Sequence, residues 1–175
     1  MIPVIPRSIF LWLDVNLPGT IFLRESLYGY AAMLTSHAVT MGIFFGLILM
    51  MDLRLVGVGS RRSSFSELQK SLFPWQMIFM VLSSITGILL LYSQPMRYYG
   101  KVFFWMKMGA IALAGLNALA FHLTAYRSVA VWDTDLKIPA AAKFAGIASI
   151  VLWALVLMFG RLTAYEWLTY QYFDF

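Results

Sequence analysis

Four long apolar stretches constrain the fold of this chain more than any other feature of its sequence. They cover residues 27–51, 72–93, 102–126 and 138–159. A membrane-spanning helix needs roughly 20 predominantly apolar residues, because the hydrocarbon core of a bilayer is about 30 Å thick. Backbone polar groups in lipid must be satisfied within the segment, which favours helices. The sequence therefore predicts an all-α integral membrane protein built as a four-helix transmembrane bundle.

Composition supports this prediction and limits where a functional site can lie. Of the 175 residues, 61% are hydrophobic and only 12% are charged, whereas soluble domains carry about 25% charged residues. The four spans and their short connections use nearly the whole chain, so we expect one transmembrane domain over residues 1–175. A site must then be built among the helices or on short loops.

The segments outside the spans are predicted to lie at the membrane interface. Residues 6–26 begin with a short helix around Trp12, and residues 163–175 carry Trp167 within an aromatic-rich tail typical of an interfacial belt. Because the number of spans is even, both segments are expected on one face of the membrane.

Charge and residue usage exclude several classes of function. The net charge of +5 comes from basic residues at span ends, where they meet lipid headgroups, so no nucleic acid partner is indicated. The absence of cysteine excludes disulfides, thiolate nucleophiles and iron–sulfur ligation. No phosphate loop, zinc signature or nucleophile elbow occurs, so a hydrolase or an ATP-driven pump has little support.

Orientation depends on the distribution of lysine and arginine. The first and third loops carry seven such residues and the opposite face carries six, with the highest density in the first loop. The positive-inside rule then predicts that these two loops are cytoplasmic and that both termini are periplasmic.

Local signals make three further predictions about the second span. Ser64 and Glu67 form a capping-box pattern that is expected to open a surface turn in the first loop. Pro74 is expected near the first turn of the span, where proline is tolerated. The second loop is short, so the second and third spans are expected to be antiparallel neighbours.

The two histidines are the strongest pointers to chemistry, because both lie inside predicted spans. An imidazole in hydrocarbon is costly unless it is paired, hydrogen-bonded or bound to a metal. His37 is followed by a GxxxG pair, and Gly115 and Ala118 share a helix face with His122. Small residues leave room for a porphyrin between helices, so the leading hypothesis is haem b ligated by His37 and His122.

The depths of His37 and His122 in the membrane argue against a single haem ligated by both. The first and third spans run parallel, and His37 and His122 differ in depth by on the order of 15 Å at the helical rise. Two ligands of one iron need matched depths. An alternative pairs His122 with Met77 or Met80 of the second span, at about the same depth.

Copper is a further alternative. Met33, His37 and Met41 are spaced four residues apart and form one stripe, and thioethers with imidazole suit Cu(I). Methionine also fills apolar cores, and a membrane histidine can simply hydrogen-bond a neighbouring helix, so a purely structural role remains open.

Three other polar positions carry expectations. Lys107 can snorkel to the interface or meet an anionic group such as a haem propionate or a quinone headgroup. Asn117 is expected to donate a hydrogen bond across the bundle, and it is included with Lys107 as a cofactor-binding candidate. Asp52 and Arg54 are expected to form an ion pair at the end of the first span.

These polar residues carry a family resemblance. The relevant segments are Ser36-His37, Asp52-Leu53-Arg54, Trp105-Met106-Lys107, Asn117 with His122, and Gly160-Arg161. The pattern resembles small bacterial four-helix inner-membrane proteins, and it is similar, more distantly, to the copper-resistance D membrane domain and to four-helix cytochrome b proteins. The resemblance implies an inner-membrane location and a haem or copper site.

The leading functional hypothesis is a membrane subunit that binds b-type haem and passes electrons between a quinone and a partner protein. The partner would be another membrane or periplasmic subunit. One alternative is a non-redox structural subunit of a larger membrane complex, with the histidines as interhelical hydrogen-bonding groups. Another is a copper-handling membrane protein.

Overall fold

The fold is an all-α bundle, seen in a computed structural model that describes residues 6–16, 26, 28–58, 64–133 and 138–165. Its helices are α1 (Arg7–Asn16), α2 (Gly29–Val56), α3 (Phe65–Ser93), α4 (Pro95–Tyr99), α5 (Val102–Leu123), α6 (Val129–Trp132) and α7 (Ala140–Leu162), with a 3-10 turn at Ala125–Ser128. The described part of the chain contains no strand. Four helices, α2, α3, α5 and α7, are long and apolar enough to cross a membrane. The predicted all-α four-helix membrane fold is confirmed.

The outer surface of the four long helices is apolar. Large exposed side chains occur on every one of them, including Val39, Ile88, Leu116 and Phe144. A continuous surface of this kind would be unfavourable in water but matches the hydrocarbon of a bilayer. The chain is therefore a multi-pass membrane protein whose bundle contacts lipid.

The bundle has two ends, which we name by their caps. The α1 end contains α1, α4, the first residues of α2 and α5 and the last residues of α3 and α7. The α6 end contains the 3-10 turn, α6 and the opposite ends of the four spans. A buried apolar cluster at the α6 end includes Leu55, Phe65, Phe121 and Trp132.

The order of helix packing differs from the sequence prediction. The most extensive contacts join α2 to α3 and α5 to α7, and α2 also packs on α7, whereas α3 and α5 make at most marginal contact. The prediction that the second and third spans are close neighbours is therefore wrong. Buried Ala110, Ala114, Ala142 and Ala145 allow α5 and α7 to approach closely instead. A seam is left between α3 and α5.

The capping box is present, but it opens the span itself. The Ser64 hydroxyl accepts from the Glu67 amide, and the Glu67 carboxylate accepts from the Ser64 amide, both at 3.2 Å. Helix α3 thus begins at Phe65, well before residue 72, and Pro74 lies inside the helix. The polar first turns of α3 lowered the hydropathy there, so the apolar run alone underestimated the helix.

The third connection is more structured than the predicted loop. The Trp132 indole donates to the Ala125 carbonyl at 3.0 Å, and its ring packs against Phe65. The Asp133 carboxylate accepts from the Ser66 amide at 3.0 Å. The connection therefore folds back over the start of α3 and closes the α6 end.

The short helix predicted near the amino terminus is confirmed as α1, and its location at the membrane interface stays a prediction. Phe10 is buried and contacts the rings of Tyr99 and Trp105, whereas Trp12 and Val15 are exposed. One side of α1 thus packs on the bundle while the other is free to face the interface. The predicted carboxyl-terminal segment lies outside the described residues beyond residue 165.

Helix α4 contacts the first turn of α2 through a pair of tyrosines at the α1 end. The Tyr98 and Tyr30 hydroxyls lie 3.3 Å apart. Burial, together with that neighbouring hydroxyl, raises the pKa of Tyr98 above its usual value. At the start of α5, the Lys101 ammonium donates to the Thr163 carbonyl at 2.9 Å, which ties α5 to the end of α7.

Candidate functional site

His37 lies near the α1 end and its ring is oriented by α3. Its Nδ1 atom is 3.0 Å from the Ser83 carbonyl and 3.1 Å from the Thr86 hydroxyl. A carbonyl can only accept, and the Thr86 hydroxyl donates its hydrogen within α3, to Leu82 at 2.8 Å. Both neighbours therefore accept, so Nδ1 carries the ring hydrogen in the neutral imidazole.

The other ring nitrogen faces a lysine on α5. His37 Nε2 is 3.4 Å from Lys107 Nζ. Because Nδ1 is the donor, Nε2 offers a lone pair and Lys107 donates to it. A Cβ atom at Gly87 would come within 3.0 Å of the His37 Cε1 atom. Glycine at this position thus lets α3 approach the ring closely.

The methionine stripe of α2 lies beside His37, and its two methionines differ in burial. Met41 is buried, and its sulfur accepts from the Ser83 hydroxyl at 3.3 Å. Met33 is half-buried. No group of three His, Asp or Glu side chains that could hold a metal ion occurs within the described ranges. Copper binding by Met33, His37 and Met41 stays a prediction.

His122 lies at the opposite end of the bundle. Its Nδ1 atom is 2.8 Å from the Ala118 carbonyl of the same helix, and its ring lies beside Tyr126. Lys107, which contacts His37, is fifteen positions earlier on α5, or about 22 Å along the helix axis. The structure therefore does not bring His37 and His122 together as ligands of one iron.

A cavity of about 240 Å³ occupies the half of the bundle nearer the α6 end, and residues from all four spans line it. Its lining includes the predicted candidates Met77, Met80, Asn117 and His122. Further polar groups line it at Asp52, Gln69, Gln76 and Ser149. The cavity thus gathers the second set of predicted ligands, His122 with Met77 and Met80, around one space.

The cavity lies along the seam between α3 and α5. On α3, its lining residues Phe73 and Met80 are also exposed on the outside of the bundle, and so are Gly115 and His122 on α5. The cavity is partly open rather than enclosed, and these exposed lining residues place its opening at the seam, on the lipid-facing side of the bundle.

Two amides in the cavity wall are satisfied by neighbouring helices. The Asn117 amide donates to the Ala145 carbonyl of α7 at 2.9 Å, which confirms the predicted hydrogen bond across the bundle. The Gln76 amide donates to the Leu47 carbonyl of α2 at 3.2 Å. These bonds hold α5 against α7 and α3 against α2 at the level of the cavity.

Two other oxygens in the wall are not satisfied by the protein. Asp52 is only 6% exposed, and the Ser149 hydroxyl hydrogen-bonds its carboxylate. Its Oδ2 atom is buried without a partner, and so is the Oε1 atom of Gln69. A buried acceptor without a donor costs about 1–3 kcal/mol, so such atoms call for an explanation. Both atoms are shielded from the cavity itself, although their residues line it, so a bound molecule would reach either oxygen after a rotation of the Asp52 or Gln69 side chain.

Sequence reasoning did not identify Asp52, Gln69 and Ser149 as site residues. Asp52 was expected at a terminal ion pair, but α2 continues to Val56 and ends at Gly57, whose φ of 95° forms a left-handed cap. Asp52 therefore lies inside the helix and against α7. The spacing of Gln69 and Gln76, seven residues apart on α3, is the signal that could have indicated a polar face.

No protein-family model, no curated protein and no solved structure matches this chain. The resemblance to small inner-membrane proteins, the copper-resistance D domain and four-helix cytochromes b stays a prediction.

Proposed function

We propose that this protein binds an isoprenoid quinol in the cavity and acts as an electron-transfer subunit of a bacterial inner-membrane redox system. The observation that carries the proposal is that Asp52 and Gln69, whose Oδ2 and Oε1 atoms are buried acceptors without partners, line one partly open cavity, where a side-chain rotation would present each oxygen to a ligand. A quinol is an apolar ring with two hydroxyl donors and an isoprenoid tail. It therefore matches the cavity in both its polar groups and its route of entry.

The cavity walls suit such a ring. They are mostly apolar, with Phe121 and Trp153 among the aromatic side chains, and aromatic rings favour stacked or edge-on contact. Sites that enclose drug-sized ligands usually occupy about 300–1,000 Å³. A cavity of about 240 Å³ is suited to a single ring headgroup whose tail extends through the seam into lipid.

Quinol oxidation also needs an outlet for protons and electrons. Conversion of a quinol to a quinone releases two protons and two electrons. In this proposal the Asp52 carboxylate accepts the first proton from a bound hydroxyl, releases it to water at the α6 end, and then accepts and releases the second in the same way. The electrons would pass to a redox centre of a partner subunit in the membrane or the periplasm, since the proposal assigns no second redox group to the cavity.

Haem b is a second candidate, favoured by the presence of His122, Met77 and Met80 around the same cavity. A histidine–methionine pair is a known axial ligand set for haem iron. The cavity is smaller than a porphyrin, so α3 and α5 would have to separate along their seam. His37 presents the Nδ1–H to carbonyl bond common in metal-bound histidines, but its Nε2 accepts from Lys107.

One preparation tests both candidates. Protein purified in mild detergent from haem-replete bacterial membranes is expected to carry about one quinone per chain, detected by mass spectrometry of an organic extract. A short-chain quinol should quench the fluorescence of Trp153, and Trp153→Phe supplies the control for the other tryptophans. Haem binding instead predicts a Soret band that sharpens with dithionite and weakens in His122→Ala.

The proposal fails if no quinone co-purifies and the short-chain quinol leaves the Trp153 fluorescence unchanged. Quenching by a lipophilic amine but not by a quinol would reassign the cavity to organic cations bound at Asp52.

We also propose that the α6 end is cytoplasmic and that the α1 end is periplasmic, from the basic density of the first loop. The chain has no cysteine, so single cysteines can be labelled without background. In intact cells an impermeant thiol reagent is expected to label Ser8→Cys and to spare Ser128→Cys, both at exposed positions. Labelling of Ser128→Cys alone would invert the orientation.

A further inference from the structure

The interior of the α1 end contains a second polar cluster, separate from the cavity and drawn from all four spans. It consists of His37 on α2, Ser83 and Thr86 on α3, and Lys107 on α5, with Gly160 of α7 facing the lysine. Lys107 is the sixth residue of α5, which places it roughly 8 Å inside the start of the helix. Its amine points into the bundle toward the imidazole.

This cluster is positively charged when Lys107 is protonated, because His37 Nδ1 already donates to α3 and Nε2 accepts from the lysine. Within the described residues, His37 is the hydrogen-bonding partner of Lys107 and no carboxylate pairs with the amine. A charged group inside a membrane span is costly without a counter-charge. The cluster therefore favours an anion.

None of the acidic residues in the described part of the chain hydrogen-bonds to this cluster. Asp52, Glu67 and Asp133 belong to the α6 end, and Asp14 is half-buried on α1. An ammonium group has three hydrogens, and His37 accepts one of them. Two donors of Lys107 are thus available for a bound anion.

Helix α7 leaves space beside these donors. A Cβ atom at Gly160 would lie 3.8 Å from Lys107 Nζ and 3.8 Å from its Cδ, so any larger side chain at this position would fill the volume next to the amine. Basic side chains also occur at this end of the bundle, at Arg97 and Arg161. Their potential attracts anions toward the cluster.

We propose that Lys107 and His37 bind a phosphate group, supplied by the headgroup of an anionic phospholipid or by free inorganic phosphate. Because the Lys107 amine points into the bundle, the phosphate group would enter between the helices to reach it, as anionic headgroups do in basic pockets between membrane helices. Two ammonium hydrogens and, when it is protonated, the imidazole Nε2–H would donate to the phosphate oxygens. This site is independent of the quinol proposal.

Native mass spectrometry of the full-length protein, after titration with phosphatidylglycerol in phosphatidylcholine nanodiscs, tests the site. The wild type is expected to retain about one anionic lipid, and Lys107→Met should weaken retention at least about tenfold, the change expected when a hydrogen bond to a charged group is lost. Lys143→Met is the matched control, because Lys143 is exposed on α7 at the other end.

A second pair of variants separates binding from folding. Gly160→Val keeps both charged groups but fills the space beside Nζ, so it should also lose the lipid. Gly109→Val should retain the lipid, because a Cβ atom at Gly109 meets nothing within 4 Å. If Lys107→Met fails to fold, Lys107→Arg keeps the charge and is expected to retain binding.

The source of the phosphate is decided by a competing titration with inorganic phosphate in nanodiscs of phosphatidylcholine alone. Saturable phosphate binding that is lost in Gly160→Val identifies free phosphate as the ligand. Lipid retention that inorganic phosphate does not displace identifies the phospholipid. Equal binding by the wild type, Lys107→Met and Gly160→Val in both titrations would overturn the proposal.

Discussion

Replacement of Gly146 by leucine is expected to lower the free energy of unfolding by about 3 kcal/mol, at the upper end of the range for overpacked cores. A Cβ atom at this position would lie 3.1 Å from the Asp52 carbonyl oxygen and 3.1 Å from the Leu55 Cβ atom. Neither contact can be relieved by a side-chain rotation, because one partner is backbone and the other is attached directly to it. Helices α2 and α7 must therefore separate.

The matched control is Gly109→Leu, which makes the same chemical change on α5 at a position where a Cβ atom meets nothing within 4 Å. The expected result is a stability equal to or above that of the wild type, since leucine favours a helix more than glycine by about 0.5–1 kcal/mol. Denaturation in detergent micelles, followed by circular dichroism, measures both variants. Equal stabilities for the two would show that α2 and α7 do not pack as described.

The substitution Asp52→Leu is expected to act in opposite directions on ligand binding and on stability. Leucine removes the buried acceptor Oδ2, so quinol affinity should fall about tenfold or more, as when one partner of a buried hydrogen bond is lost. The unliganded protein no longer buries an unsatisfied oxygen, so its free energy of unfolding should stay equal or rise by about 1 kcal/mol. The Ser149 hydroxyl can instead bond a carbonyl of its own helix.

Quenching of Trp153 fluorescence by a short-chain quinol measures the affinity, and detergent denaturation measures the stability. Asp14→Leu, at a half-buried position of α1 outside the cavity wall, is the control and should change neither. A residue that only supports the fold would lose stability when replaced, so a large destabilisation with unchanged quinol affinity would contradict the role assigned to Asp52.

The structure agrees with the sequence predictions on the spans but not on the grouping of the polar residues. The two histidines predicted polar chemistry inside the bundle, but the leading hypothesis assigned both His37 and His122 to one haem. The helical rise already predicted unequal depths for the two rings, and the contact of His37 with Lys107 places them at opposite ends. Pairing of residues from different helices depends on helix rotation and tilt, which periodicity in a uniformly apolar helix does not define.

The sequence by itself determined the number and type of the spans, the capping box at Ser64, the helix at α1 and the hydrogen-bonding role of Asn117. Each of these follows from hydropathy, from hydrogen bonds between near neighbours in the chain, or from the cost of a polar group in lipid. Only the tertiary structure decided that α5 packs on α7, that a seam separates it from α3, and that Asp52 and Gln69 face one cavity. The physical reason is that close packing selects helix partners through small residues such as Ala114 and Gly146, whose contacts lie far apart in the sequence.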